Sequence, residues 1–177
     1  MKLIPIIFCM ILYISQTQGA EAIKGAFGVE FGNLEDFIKW PHNKEETKEI
    51  KENTYRYETP KGYRIFQKCW FKVTPKTQKI FQIYSFHEAE NEKSAEQEVE
   101  IIKEAIKQKY KSKIEQYKST LENKYDQAIL FRSGNRYIQI LREKNRLYIK
   151  YGDYDWQKLS QQEAIEDGVK RSLKEGI

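Results

Sequence analysis

Hydrophobic residues recur along this chain with two different periods, and each change of period marks a change of element. From Ser94 to Tyr125 the apolar positions are Val99, Ile102, Ile106, Tyr110, Ile114, Tyr117, Leu121 and Tyr125. That three-and-four spacing lines one side of an α-helix. Ser94 with Gln97 reads as a capping box at its start. Glu96, Glu98 and Glu100 crowd the first turns and Lys107, Lys109, Lys111 and Lys113 the middle, the order a helix dipole favours. Unbroken, this helix would be about 45 Å long, more than a small sheet is wide. Its far end is therefore expected to break or project, with Tyr110 to Lys113 as the weakest point.

On both sides of that helix the period falls to two. Thr54 to Glu58 carries Tyr55 and Tyr57 on one face, and Thr59-Pro60-Lys61-Gly62 supplies a turn with proline second and glycine fourth. Arg64 to Thr74 alternates Ile65, Cys69, Phe71 and Val73 against Phe66, Lys68, Trp70 and Lys72. Pro75-Lys76-Thr77 turns the chain into a third strand, Lys79 to His87. After Tyr125 the same grammar returns in Gln127–Arg132, Arg136–Arg142 and Arg146–Gly152, joined by Ser133-Gly134-Asn135 and Glu143-Lys144-Asn145. Such short turns make antiparallel neighbours. Ser160 with Glu163 then reads as the start of a final helix with Ile165, Val169 and Leu173 on one face and Gly176 past its end. The expected fold class is α+β: two three-stranded meanders (βββα twice) forming an antiparallel sheet, packed by a long central helix and a C-terminal helix on one face.

Ahead of the first meander, Ala26-Phe27-Gly28-Val29-Glu30-Phe31-Gly32 reads as a short strand bracketed by glycines, followed by a short helix from Leu34 to Trp40 that Pro41 ends. This aromatic-Gly-aliphatic-x-aromatic-Gly phrase resembles the opening of the mature part of many small exported bacterial proteins, among them envelope-assembly proteins that act by binding. The resemblance covers about a dozen residues, and Asn33 to Phe37 departs from it by lacking a Ser/Thr cap after the second glycine. It implies an exported compartment. Asn43 to Asn53, alternating lysine and glutamate, reads as a mobile connector or a marginal exposed helix.

The compartment also has a signal of its own. Lys2 precedes an apolar run from Leu3 to Ile14 that is too short to span a bilayer and is followed by small residues. Residues 1–22 thus read as a signal peptide, cleaved after Gly19 or after Ala22, and 23–177 as a single domain in the periplasm or outside the cell. Cys9 leaves with the signal, so Cys69 remains the one cysteine, without a disulfide partner, in strand phase with Ile65, Phe71 and Val73. The expectation is a buried thiol. No other stretch is apolar enough to cross a membrane.

Composition agrees with a packed core. The chain of 177 residues is 14% aromatic, and its net charge of +5, from 31 Lys+Arg against 26 Asp+Glu, is spread over mixed-sign stretches. That excess permits an anionic partner without demanding one.

Catalytic motifs are missing. His87-Glu88-Ala89-Glu90 begins like a zinc-protease helix but has no second histidine one turn on, and there is no P-loop, nucleophile elbow or dinucleotide fingerprint. No metal or cofactor is expected. Asp153 and Asp155 beside Tyr151, Tyr154 and Trp156 offer carboxylates next to aromatic platforms, as a glycan-cleaving site does, but are also the usual residues of a strand-to-helix loop, the reading preferred here. The second meander is basic and aromatic. Arg136, Tyr137, Arg146, Tyr148, Lys150, Tyr151, Tyr154 and Trp156 are the candidate binding residues, with Arg132, Arg142 and Lys144 beside them. Charges flanking turns also keep strand ends soluble.

Three functions remain on these grounds. The first is an exported envelope protein that binds an envelope protein or an anionic polymer rather than nucleic acid, which export removes from reach. The second is a glycan- or peptide-directed hydrolase around Asp153 and Asp155. The third is a structural protein that self-associates through the long helix.

Overall fold

A computed structural model describes residues 23–58, 65–66, 68–119, 121 and 123–175. The expected signal peptide 1–22 and its cleavage site, the Thr59–Gly62 turn, Arg64 and Gly176 lie outside the described residues. The described part is α+β, with four α-helices and a large antiparallel sheet.

The chain enters through a hairpin, β1 (Gly25–Ala26) and β2 (Val29–Glu30), where one strand was expected. Its two loop residues, Phe27 and Gly28, both have positive φ (56° and 82°), the backbone that a two-residue turn between twisted strands requires. β3 (Gly32–Asn33) leads into α1 (Leu34–Ile38), which buries Leu34 and Phe37. Pro41 does not simply end that helix: it opens α2 (Pro41–Glu46), where a missing N–H costs nothing. The charged connector then continues as β4 (Thr47–Lys51), pairing with β5 (Thr54–Glu58) around Asn53, whose φ is 58°. A stretch with no hydrophobic period of its own becomes an edge strand because its neighbour satisfies its backbone.

β6 (Lys68–Val73) and β7 (Lys79–Glu88) complete the first meander. Helix α3 spans Glu92–Tyr110, and here the sequence expectation is corrected at both ends. Asn91, not Ser94, is the cap: its side chain accepts the Ser94 N–H at 2.9 Å. After Tyr110 the backbone reverses at Lys111 (φ 48°), makes one 3-10 turn over Lys111–Lys113, and becomes β8 (Glu115–Lys118). The break falls at the expected weak point, but the continuation is strand.

The second meander consists of β9 (Gln127–Ser133), β10 (Arg136–Glu143) and β11 (Arg146–Asp153), within a residue of the expected bounds. β11 pairs antiparallel with β7, Tyr151 opposite Ile83, and so joins the two meanders into one sheet. The strand order is β4-β5-β6-β7-β11-β10-β9-β8, with β3 also pairing with β7 at Ile80 and Lys79.

One face of this sheet is closed. Cys69, Phe71, Ile83, Ile138, Ile140, Ile149 and Tyr151 form a continuous core with Ile23, Phe27, Val29, Leu34, Phe37 and, from α3, Ala95, Val99, Ile106 and Tyr110. The α3 stripe expected to serve self-association is therefore consumed inside the chain, leaving Ile101 outward. Cys69 is fully buried and unpaired, and burial pushes its thiol up to about 12. Its strand phase does not extend back as expected, since Phe66 is buried against Phe27.

The final helix, α4 (Tyr154–Glu175), starts six residues before Ser160. Asp153 caps it, its Oδ1 accepting the backbone N–H groups of Asp155 (3.1 Å) and Trp156 (3.2 Å). Glu163 has another role. It is buried and accepts the N–H of Lys76 (2.6 Å) and the Thr77 hydroxyl (2.9 Å), tying α4 to the β6–β7 turn. The helix thus contacts strand ends rather than sharing the α3 face, and Ile165 and Val169 are exposed instead of packed.

Candidate functional site: the open face of the sheet

Strand register decides which side chains share the uncovered face. Lys150 stands opposite Tyr84, Tyr84 opposite Trp70 and Trp70 opposite Arg56, one row across four strands. Beside it Tyr148 stands opposite Phe86, and below it Gln82 links Gly152 to Lys72. Alternation along each strand sends these residues away from the core.

The aromatic members touch in sequence. Trp70 stacks on Tyr84 (5.9 Å between centroids, 18° between planes) and on Phe86 (5.4 Å, 18°). Phe86 lies 6.4 Å from Tyr148, and Tyr148 lies 6.3 Å from Tyr125. These are offset and tilted pairs of the kind aromatic quadrupoles favour. The result is a half-exposed aromatic ridge running across the sheet, with Phe86 50% exposed at its middle.

Part of the charge on this face is paired, while Arg132 and Lys48 on the same face have no ion pair among the described residues, and Arg132 lies instead over the Tyr117 and Tyr154 rings. Glu58 takes Arg56 (3.6 Å) and Lys68 (3.7 Å), and Glu88 takes Arg146 (3.7 Å). Lys72 and Lys150 have no carboxylate partner among the described residues. Lys150 is half-buried with its Nζ 5.6 Å from the Tyr137 ring, and burial together with the like charge of Lys72 lowers its pKa. Two uncompensated cations thus flank Tyr84. Such a pair, one of them partly desolvated, gains most from an arriving anion.

The eight residues singled out from sequence do not form one site. Tyr148, Lys150 and Arg146 lie on the open face. Tyr137 is on that face too but is buried, lying over Gly152 and 4.6 Å from Tyr154. Tyr151 points the other way, into the core, edge-on to Phe27 at 5.9 Å. Arg136 is a structural cation: it pairs with Asp153 (3.2 Å), donates to the Ile23 carbonyl (2.8 Å) and lies between Phe31 and Trp156. Trp156 has Lys79 over its ring at 5.1 Å. Trp70, Tyr84, Phe86 and Lys72 were missed, although the alternation of Lys68, Trp70 and Lys72 against Cys69, Phe71 and Val73 carried the signal.

The carboxylates proposed for hydrolysis have other work. Asp153 is buried, paired with Arg136 and capping α4, and Asp155 accepts from the Asn135 amide. His87 lies 3.3 Å from Glu98 and edge-on to Phe66. Among the described residues no group of three or more His, Cys, Asp or Glu is arranged to hold a metal ion, and no helix is long and apolar enough to cross a membrane. The chain matches no family model, no curated protein and no solved structure.

Proposed function

We propose that this chain is an exported protein of the cell envelope that acts by binding rather than by catalysis, and that an anionic polymer or acidic partner lies across the open face of its sheet. The carrying observation is the Trp70–Tyr84–Phe86–Tyr148 ridge flanked by Lys72 and Lys150, which have no carboxylate partner among the described residues. Aromatic faces supply apolar contact at low entropic cost, and unpaired lysines supply a salt-sensitive attraction. Support for export is the Lys2 and Leu3–Ile14 pattern with the small residues after it. The reading places the protein in the periplasm or outside the cell.

Dextran sulfate against neutral dextran tests the binding surface, followed by Trp fluorescence at two salt concentrations. Saturable binding to the sulfated polymer alone is expected, weakened at least about tenfold in Lys72→Ala/Lys150→Ala and weakened further by salt. Equal binding by that double variant would move the ligand off this face.

A further inference from the structure

A second concavity lies away from the aromatic ridge, where β2, β3, α1 and α2 meet. It is a cleft of about 540 Å³ whose wall includes Glu30, Phe31, Gly32, Asp36, Trp40 and Asn43. Among the described residues its lining carries two carboxylates and no lysine, arginine or histidine, the reverse of the open face. Trp40 is 69% exposed at its rim, an indole left unburied beside the turn into α2. The amides at the site are already committed: Asn33 donates to Asp36 at 3.0 Å, and Asn43 donates to the Phe37 carbonyl while accepting from Tyr57. They fix the wall and leave the carboxylates as its charged chemistry.

Gly32 adds an independent observation. It sits in β3 opposite Ile80, its φ is not in the left-handed region, and a β-carbon built on it meets nothing within 4 Å. The fold does not need glycine there. Gly32 lines the cleft, and the space beside it is open.

From these observations we infer that the cleft binds an organic cation, an alkylammonium or quaternary ammonium group, with Trp40 offering its ring face and Glu30 and Asp36 the counter-charge. A cation over an aromatic face is attracted by the ring quadrupole, most strongly for indole. Carboxylates beside it add selectivity for charge over shape.

The probe is tetramethylammonium, with neopentanol as its neutral counterpart of similar shape, each titrated into the whole protein. The readout is the Trp40 indole N–H resonance, identified by its loss in Trp40→Phe. Tetramethylammonium is expected to shift it saturably, with neopentanol at least tenfold weaker. Gly32→Val, which adds a side chain to the cleft lining, and Asp36→Asn, which removes charge from its exposed rim, are each expected to weaken binding about tenfold or more. Lys150→Ala on the other face leaves it unchanged. The inference is overturned by an unsaturable shift, by equal binding of neopentanol, or by full affinity in folded Gly32→Val and Asp36→Asn. Should the valine variant fail to fold, the asparagine variant and the neutral probe decide.

Discussion

The ring of Tyr137 occupies the space a side chain on Gly152 would need: a β-carbon there would stand 2.2 Å from Tyr137 Cζ. The two residues are cross-strand partners in β10 and β11. Tyr137 cannot swing aside freely, because Tyr154 at the start of α4 lies against it and Gln157 is within 3.4 Å of its hydroxyl. Gly152→Ala should therefore destabilise by about 1–3 kcal/mol, the usual cost of overpacking. In urea melts, Gly152→Ala should cost less in a Tyr137→Ala background than in the parent, a coupling that independent sites would not show.

Helix α3 offers two isoleucines with opposite fates. Ile106 is 5% exposed in the core and Ile101 is 68% exposed. Ile106→Asp places an unpaired charge against apolar neighbours and should cost about 3 kcal/mol or more, a large share of the roughly 5–15 kcal/mol such a domain holds. Ile101→Asp and Lys107→Ala should each change stability by under about 0.5 kcal/mol. Equal urea midpoints for Ile106→Asp and its parent would remove α3 from the core.

That second meander was legible from sequence almost to the residue, for a local reason. Each of its hairpins closes over two residues, Gly134-Asn135 and Lys144-Asn145, and glycine or asparagine between two alternating runs announces so short a turn. The far half of the long helix was misread because Ile114, Tyr117, Leu121 and Tyr125 keep a helical spacing while the deciding event is at Lys111, which adopts φ 48° with no glycine to announce it. The candidate site was misgrouped by proximity along the chain. Tyr148 and Lys150 share a parity that Tyr151 does not, so one step along β11 crosses from open face to core.

Cys69 gives a chemical check on burial. With the thiol inside the sheet and its pKa pushed up to about 12, labelling by a thiol reagent at neutral pH should be slow in the native protein. It should become fast on adding urea. Rapid native labelling would contradict the β6 register.

Removing Glu163 should loosen the seam between α4 and the β6–β7 turn. Its carboxylate accepts from Lys76 N, Thr77 N and the Thr77 hydroxyl. Glu163→Ala leaves those donors unpaired at about 1–3 kcal/mol. Amide exchange at Lys76 and Thr77 should accelerate more than exchange in β10.

Lys150 makes the proposed polyanion binding pH-dependent in a definite direction. Burial and Lys72 lower its pKa below the ordinary lysine value, so the free protein releases this proton earlier than an unfolded chain does. Stability should rise with pH between the lowered and the ordinary value, where the unfolded chain holds more protons. An anion favours the protonated form, so dextran sulfate affinity should be full below the lowered pKa and fall as pH rises through it. Lys150→Gln should flatten that profile, and an unchanged profile would place the titrating group elsewhere.

The reversal at Lys111 reaches beyond the helix it ends. By turning the chain into β8, it gives the sheet an outer strand bearing Glu115 at one rim, while β4 with Lys48, Glu49 and Lys51 forms the other. Another chain approaching either rim must strip water from charged side chains before a backbone bond can form. Charged rims of this kind disfavour edge-to-edge addition to a broad sheet that keeps a half-exposed aromatic ridge on one face.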